Sequence, residues 1–156
     1  MKTYRNHKSG FTLVEILIVV IILGILAAIV IPQFTNASTS ARVASLQGQL
    51  QTLRSQIQLF KLQHNDVLPD LATNQWAQML SKTNIAGTVD NTVTGVYGPY
   101  LESTPTNPLN GYSLVGAAPA VLTGWVYSTG GNTPGIITAT NQTATVAFNE
   151  ATNAVQ

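Results

Sequence analysis

Residues 11–31 form an apolar stretch of about 21 residues in which Thr12 and Glu15 are the only polar side chains. As a helix rising about 1.5 Å per residue it would reach roughly 31 Å, one bilayer hydrocarbon core. Residues 16–31 hold no polar side chain at all, which argues against a helix buried in a soluble protein. Lys2, Arg5 and Lys8 precede the stretch and the next basic residue is Arg42. That asymmetry predicts a single pass with the N-terminus in the cytoplasm and everything after Pro32 outside. A secretory signal peptide also joins a basic segment to an apolar core, and it would be cut after that core, where the small residues 36–41 lie. This apolar run is longer than such a core usually is. It also carries a carboxylate, which costs on the order of 2.5 to 3.5 kcal/mol at the centre of a membrane helix and marks Glu15 as a residue with a function and a partner.

Gly10, Phe11, Thr12, Leu13, Val14 and Glu15, followed by the apolar helix and Pro32, resemble the class III signal of type IV pilins and type II secretion pseudopilins. The resemblance covers the first 35 to 60 residues or so. It implies that a prepilin peptidase cuts between Gly10 and Phe11 and N-methylates Phe11. It also implies that the apolar helix is retained, first as an anchor in lipid of the bacterial inner membrane and then as the core of an extracytoplasmic helical filament of identical or homologous subunits. Its further partner would be an inner-membrane assembly platform. Glu15 of an incoming subunit is expected to pair with the Phe11 amine of its neighbour. The residue-level alternative is that Glu15 caps its own helix or snorkels to the headgroups. Gly24 and Pro32 weaken the helix between them, since glycine lowers helix propensity and proline cannot donate to the carbonyl of Ala28. A loosened turn near residues 27–30 is expected in the filament.

Beyond the apolar stretch, Val43, Leu46, Leu50, Leu53, Ile57 and Phe60 recur at spacings of three and four. This predicts one buried face of a continuing helix, while Gln47, Gln51, Arg54, Gln58 and Lys61 fall elsewhere around it. The stripe is read as packing on the chain's own C-terminal domain. Asn65, Asp66 and Pro69 end the helix near His64. Thr73 is expected to cap a short helix through about Lys82, with Trp76, Met79 and Leu80 inward. Residues 85–97 read as loop or weak strand. Strands are predicted at 112–115, 124–128 and 136–140, with a turn at Gly130 and Gly131 and an edge strand or frayed tail at 143–148. The fold class is α+β and pilin-like: a long N-terminal helix, half of it transmembrane, packed on a small antiparallel sheet. Its segments are a cleaved leader (1–10), a transmembrane and filament-core helix (11–34), an amphipathic continuation (35–64) and a globular domain (65–156).

Only 8% of the residues are charged, and the formal net charge is +1. Loss of the leader would leave four basic and six acidic side chains. No basic cluster remains to neutralise phosphates, so nucleic acid is not an expected partner. Without cysteine, neither a thiolate site nor a disulfide is available. Past the leader the one histidine is His64, expected at a helix end as a solvated or capping residue. The carboxylates Asp66, Asp70, Asp90, Glu102 and Glu150 show no spacing that pairs them for acid–base work. No enzyme and no cofactor is predicted.

The pattern around Gly98, Pro99, Tyr100, Leu101, Pro108 and Gly111, with Trp125 and Tyr127, loosely resembles the C-terminal part of major pseudopilins, which are known for a calcium loop built with aspartates. Here Asn107, Asn110, Asn132 and Asn141 occupy that part and no aspartate follows Asp90, so no metal site is expected. Many type IV major pilins close their C-terminal loop with a disulfide, which this chain lacks. The reading favoured is therefore a type II secretion pseudopilin engaged in protein export. A major or minor pilin of a type IV pilus (adhesion, motility or DNA uptake) is the alternative, and a membrane-tethered or secreted binding domain is an alternative of a different class.

Overall fold

The computed structural model describes residues 10–130, 134–141, 143 and 146–148. The chain divides into two units, residues 1–40 and 41–156. Helix α1 is Leu13–Gln63. It starts at Thr12, whose Oγ1 accepts the Glu15 N–H at 3.2 Å, while Glu15 Oε2 accepts the Thr12 N–H at 2.8 Å. This reciprocal pair satisfies two of the N–H groups that a helix start leaves without partners. The helix runs without interruption through Gly24 and Pro32. It ends where Asn65 and Asp66 take positive φ of 52° and 64°, a conformation that their short polar side chains tolerate better than most.

In the first unit no described residue of α1 is buried. This helix is long and apolar enough to cross a membrane. In the second unit Val43, Leu46, Leu50, Leu53, Ile57 and Phe60 are buried, the face that their spacing predicts. They join Leu71, Trp76, Met79, Trp125, Tyr127 and Ile137 in one core. The indoles of Trp76 and Trp125 meet edge to face at 6.3 Å, and each N–H finds a carbonyl, Ser113 O at 2.7 Å and Pro105 O at 3.0 Å. Burying large rings with their polar atoms satisfied is what such a core needs. Arg54, expected away from the stripe, reaches the Ile137 carbonyl through Nε at 3.2 Å and a terminal nitrogen at 2.9 Å.

The single short helix expected from Thr73 to Lys82 is two turns, α2 Leu71–Asn74 and α3 Ala77–Leu80. Asp70, not Thr73, is the cap: its carboxylate accepts the Thr73 N–H at 3.1 Å. Gln75, at φ 52°, breaks the run between the two turns. Its side-chain amide then acts like a strand neighbour, donating to Val115 O at 2.9 Å and accepting from Val115 N at 2.7 Å.

Strands β1 Leu114–Gly116, β2 Thr123–Ser128 and β3 Ile136–Ala139 make a sheet in the order β1-β2-β3. β2 and β3 pair antiparallel as predicted, and β1 joins β2 parallel, so the sheet is mixed. Six residues, 117–122, suffice for that return because β1 has three residues, about 10 Å at 3.3 Å each. Thr140 bridges to Ala147, in line with the expected edge strand 143–148, of which 144 and 145 lie outside the described residues. So do the leader residues 1–9, Gly131, Asn132 and Glu150.

Candidate processing and assembly site

Gly10 and Phe11 precede α1, and Glu15 lies in its first turn, where it meets Thr12. Phe11 exposes 84% of its surface, and Gly10 beside it is exposed too. A Cβ added at Gly10 would meet nothing within 4 Å, and the same holds at Gly24. Neither glycine is therefore demanded by packing among the described residues, and neither takes the positive φ that would explain it locally. At Gly24 the missing side chain only weakens the helix, by about 1 kcal/mol relative to alanine.

Glu15 sits one helical turn beyond Phe11. Its Oε2 accepts from both the N–H and the hydroxyl of Thr12, each at 2.8 Å, and Oε1 takes neither bond. The capping alternative is thus what the single chain displays, and Thr12 is the residue whose part the sequence reading left out. The signal was present, because a threonine followed three positions later by a glutamate ahead of an apolar run is a helix-start pattern. One oxygen is occupied at the cap, so a cationic partner would have Oε1 to approach.

Pro32 withdraws one donor from the α1 ladder, leaving Ala28 O without its usual partner. Just beyond, Thr35 and Thr39 turn their hydroxyls back to Ile31 O at 3.2 Å and Thr35 O at 3.1 Å. Such back-bonding slightly destabilises and often bends helices. The stretch 28–39 accordingly carries two local features that soften a helix, beyond the glycine at 24.

Three further titratable groups among the described residues, His64, Asp90 and Tyr127, are tied into the fold. His64 is fully buried, contrary to the expectation of a solvated or capping residue. Its Nδ1 donates to Phe60 O at 2.7 Å, Nε2 meets Thr83 Oγ1 at 2.9 Å, and the ring stacks on Phe60 with centroids 3.9 Å apart. The segment returning through Thr83, Tyr97 and Tyr100 covers it, and both ring nitrogens are engaged. Asp90 is held below its usual carboxylate range by the hydroxyls of Thr92 and Thr94 and the Thr92 N–H. Tyr127 is pushed up to about 12, chiefly by burial and secondarily by Asp70. Among the described residues, no three of His, Cys, Asp and Glu cluster as metal ligands would.

Comparison with known proteins places the N-terminal features in a family. The family described as "Prokaryotic N-terminal methylation motif" matches residues 5–31. Type II secretion system core protein G of Pseudomonas aeruginosa is 43% identical over 58 residues, 37% of this chain and 41% of that protein. A type IV major fimbrial protein FimA of Dichelobacter nodosus is 54% identical over 51 residues, 31% of this chain and 33% of that protein. Competence protein ComGC of Bacillus subtilis is 36% identical over 69 residues, 44% of this chain and 70% of that protein. The chain thus spans less than half the length of the first two relatives. No solved structure matches it. The methylation motif at residues 5–31 and the alignment over 70% of the competence protein establish that this chain belongs to the type IV pilin-like proteins.

Proposed function

We propose that this subunit is a pseudopilin, an inner-membrane precursor cut between Gly10 and Phe11 by a prepilin peptidase, methylated on Phe11, and drawn by an assembly platform into a short filament that serves protein export. The observation that carries the reading is the outward-facing apolar surface of α1 in the first unit, broken by one carboxylate a helical turn from Phe11. Such a surface needs lipid or other copies of itself to cover it. In this reading residues 1–10 are the cytoplasmic leader, 11–34 the membrane and filament-core helix, 35–64 its amphipathic continuation, and 65–156 the outer domain.

Cleavage creates a positive amine on Phe11. Glu15 of an incoming subunit pairs with that amine on its neighbour, which offsets part of the cost of holding either charge in an apolar core and fixes the axial stagger. Thr12 holds the carboxylate until then, with Oε1 presented to the approaching amine. Among the described residues Gly10 has no neighbour to avoid, which fits a glycine selected by the peptidase. Between Gly24 and Pro32 the helix loosens as the filament packs.

Export is favoured over surface adhesion or motility by the likeness to secretion protein G and by the lack of cysteine for a C-terminal disulfide loop. A pilus or competence subunit is the second reading, supported by the likeness to the fimbrial and competence proteins. Mass spectrometry of the mature chain tests the common part: a methylated Phe11 terminus is expected. A start near Arg42 would indicate a secreted soluble protein, and a retained Met1 a tethered domain. Deletion of the gene separates the two finer readings, since loss of exported proteins with surface pili and DNA uptake intact is expected for a pseudopilin. Normal export would refute it.

A further inference from the structure

Around the start of β2 and the end of β3, four backbone carbonyls converge, those of Thr123, Gly124, Thr140 and Asn141. Asn107, wholly buried, sends its Nδ2 to Gly124 O at 2.8 Å and Thr140 O at 2.9 Å, while its Oδ1 accepts the Leu109 N–H at 2.9 Å. Asn110 repeats the device. Its Nδ2 donates to Thr140 Oγ1 at 2.7 Å and Asn141 O at 2.9 Å, with Thr123 O at 3.4 Å, and its Oδ1 accepts the Tyr112 N–H at 3.0 Å. The Thr140 hydroxyl donates to Thr123 O at 2.6 Å. Turning either amide over would set its oxygen against carbonyl oxygens and its NH2 against an N–H, so the orientation is fixed by chemistry.

We infer that Asn107, Asn110 and Thr140 form a cation-free clasp, which closes this end of the C-terminal unit in the part of the chain where major pseudopilins are known for a calcium loop. Calcium takes six to eight oxygens at roughly 2.3 to 2.6 Å and favours carboxylates among them. Each of the four carbonyls here already faces an N–H or O–H donor, which a cation would have to displace, and the hydrogens of those donors repel it. Glu102 and Glu150 are the only acids after Asp90, and Glu150 is outside the described residues. The donor set therefore does not suit calcium, and hydrogen bonds from neutral amides hold the loop 105–112 to both strand ends instead.

Thermal unfolding of the full chain in detergent tests this. Melting in EDTA and in calcium at several millimolar, above the roughly 10⁻³ M of weak extracellular sites, is expected to agree within about 1 °C. Asn110→Asp places a carboxylate against the Asn141 carbonyl and is expected to melt about 5 °C lower or more in EDTA. Should that variant not accumulate, Asn110→Ala removes the donors without adding charge and is expected to melt lower as well. A calcium-induced rise of several degrees in the wild-type chain, or an asparagine variant as stable as wild type in EDTA, would overturn the clasp.

Discussion

Ile18 and Ile57 lie on the same helix, yet Ile18 exposes 52% of its surface and Ile57 none. The backbone that carries them is α-helical throughout, short of the one donor that Pro32 withdraws. What differs is the repeat of the side chains. Around residue 18 apolar groups occur on every side, so no single face can be turned inward. Around residue 57 they recur every three or four positions with polar residues between, and the resulting stripe closes onto the chain's own core. The first stretch is built for an environment that surrounds it, the second for a partner on one side. The contrast teaches that helix formation and helix burial are separate decisions, the first local and the second dependent on pattern.

The sharpest way to break the contrast is at its outer end. Gly10→Val is expected to abolish maturation, leaving the leader attached, because nothing among the described residues needs glycine there. Immunoblotting for the precursor checks this, and a normally sized product would remove the peptidase from the explanation. Glu15→Ala comes next. Cutting and membrane insertion are expected to continue, while filaments recovered by shearing fall to a small fraction of wild type. Wild-type yield would leave Glu15 as a helix cap and nothing more, the role its bonds to Thr12 already give it.

A matched pair tests the two environments directly. Ile57→Ala opens a cavity in the core and is expected to lower the stability of the second unit by about 2 to 5 kcal/mol, a large share of the 5 to 15 typical of a domain. Ile18→Ala is expected to change the unfolding of that unit by under about 0.5 kcal/mol. Chemical denaturation in detergent compares them, and similar losses from both would show that the two stretches are not energetically distinct. Asp70→Ala is expected to fall between these two, where loss of the cap on α2 should cost about 1 kcal/mol by the same measurement. No change would mean that packing of Leu71 alone sets that turn.

Read residue by residue, the helical parts of the molecule were the most legible. The stripe from Val43 to Phe60 was visible because side chains three and four apart share a face regardless of what they meet. Glu15 stands out as a lone acid within an apolar run, whereas Gly10 and Phe11 stand out only through the resemblance of their stretch to the class III signal. The short helix near Thr73 was misjudged because Gln75 takes a positive φ that its residue type does not advertise. His64 was misplaced for a related reason: its position at a helix end suggests exposure, and only the return of residues 83–100 covers it.

The sequence by itself determined the N-terminal half of this protein, since a helix start, a membrane-length apolar run and a 3.6-residue stripe are all written in neighbours a few positions apart. Tertiary structure alone decided the parallel pairing of β1, the burial of His64 and the carbonyls that Asn107 and Asn110 meet. Those asparagines contact Gly124, Thr140 and Asn141 across 17 to 33 positions of chain. An asparagine in a loop reads as a turn residue, and whether its amide is spent on a turn or on a buried carbonyl depends on which distant strand the fold brings beside it.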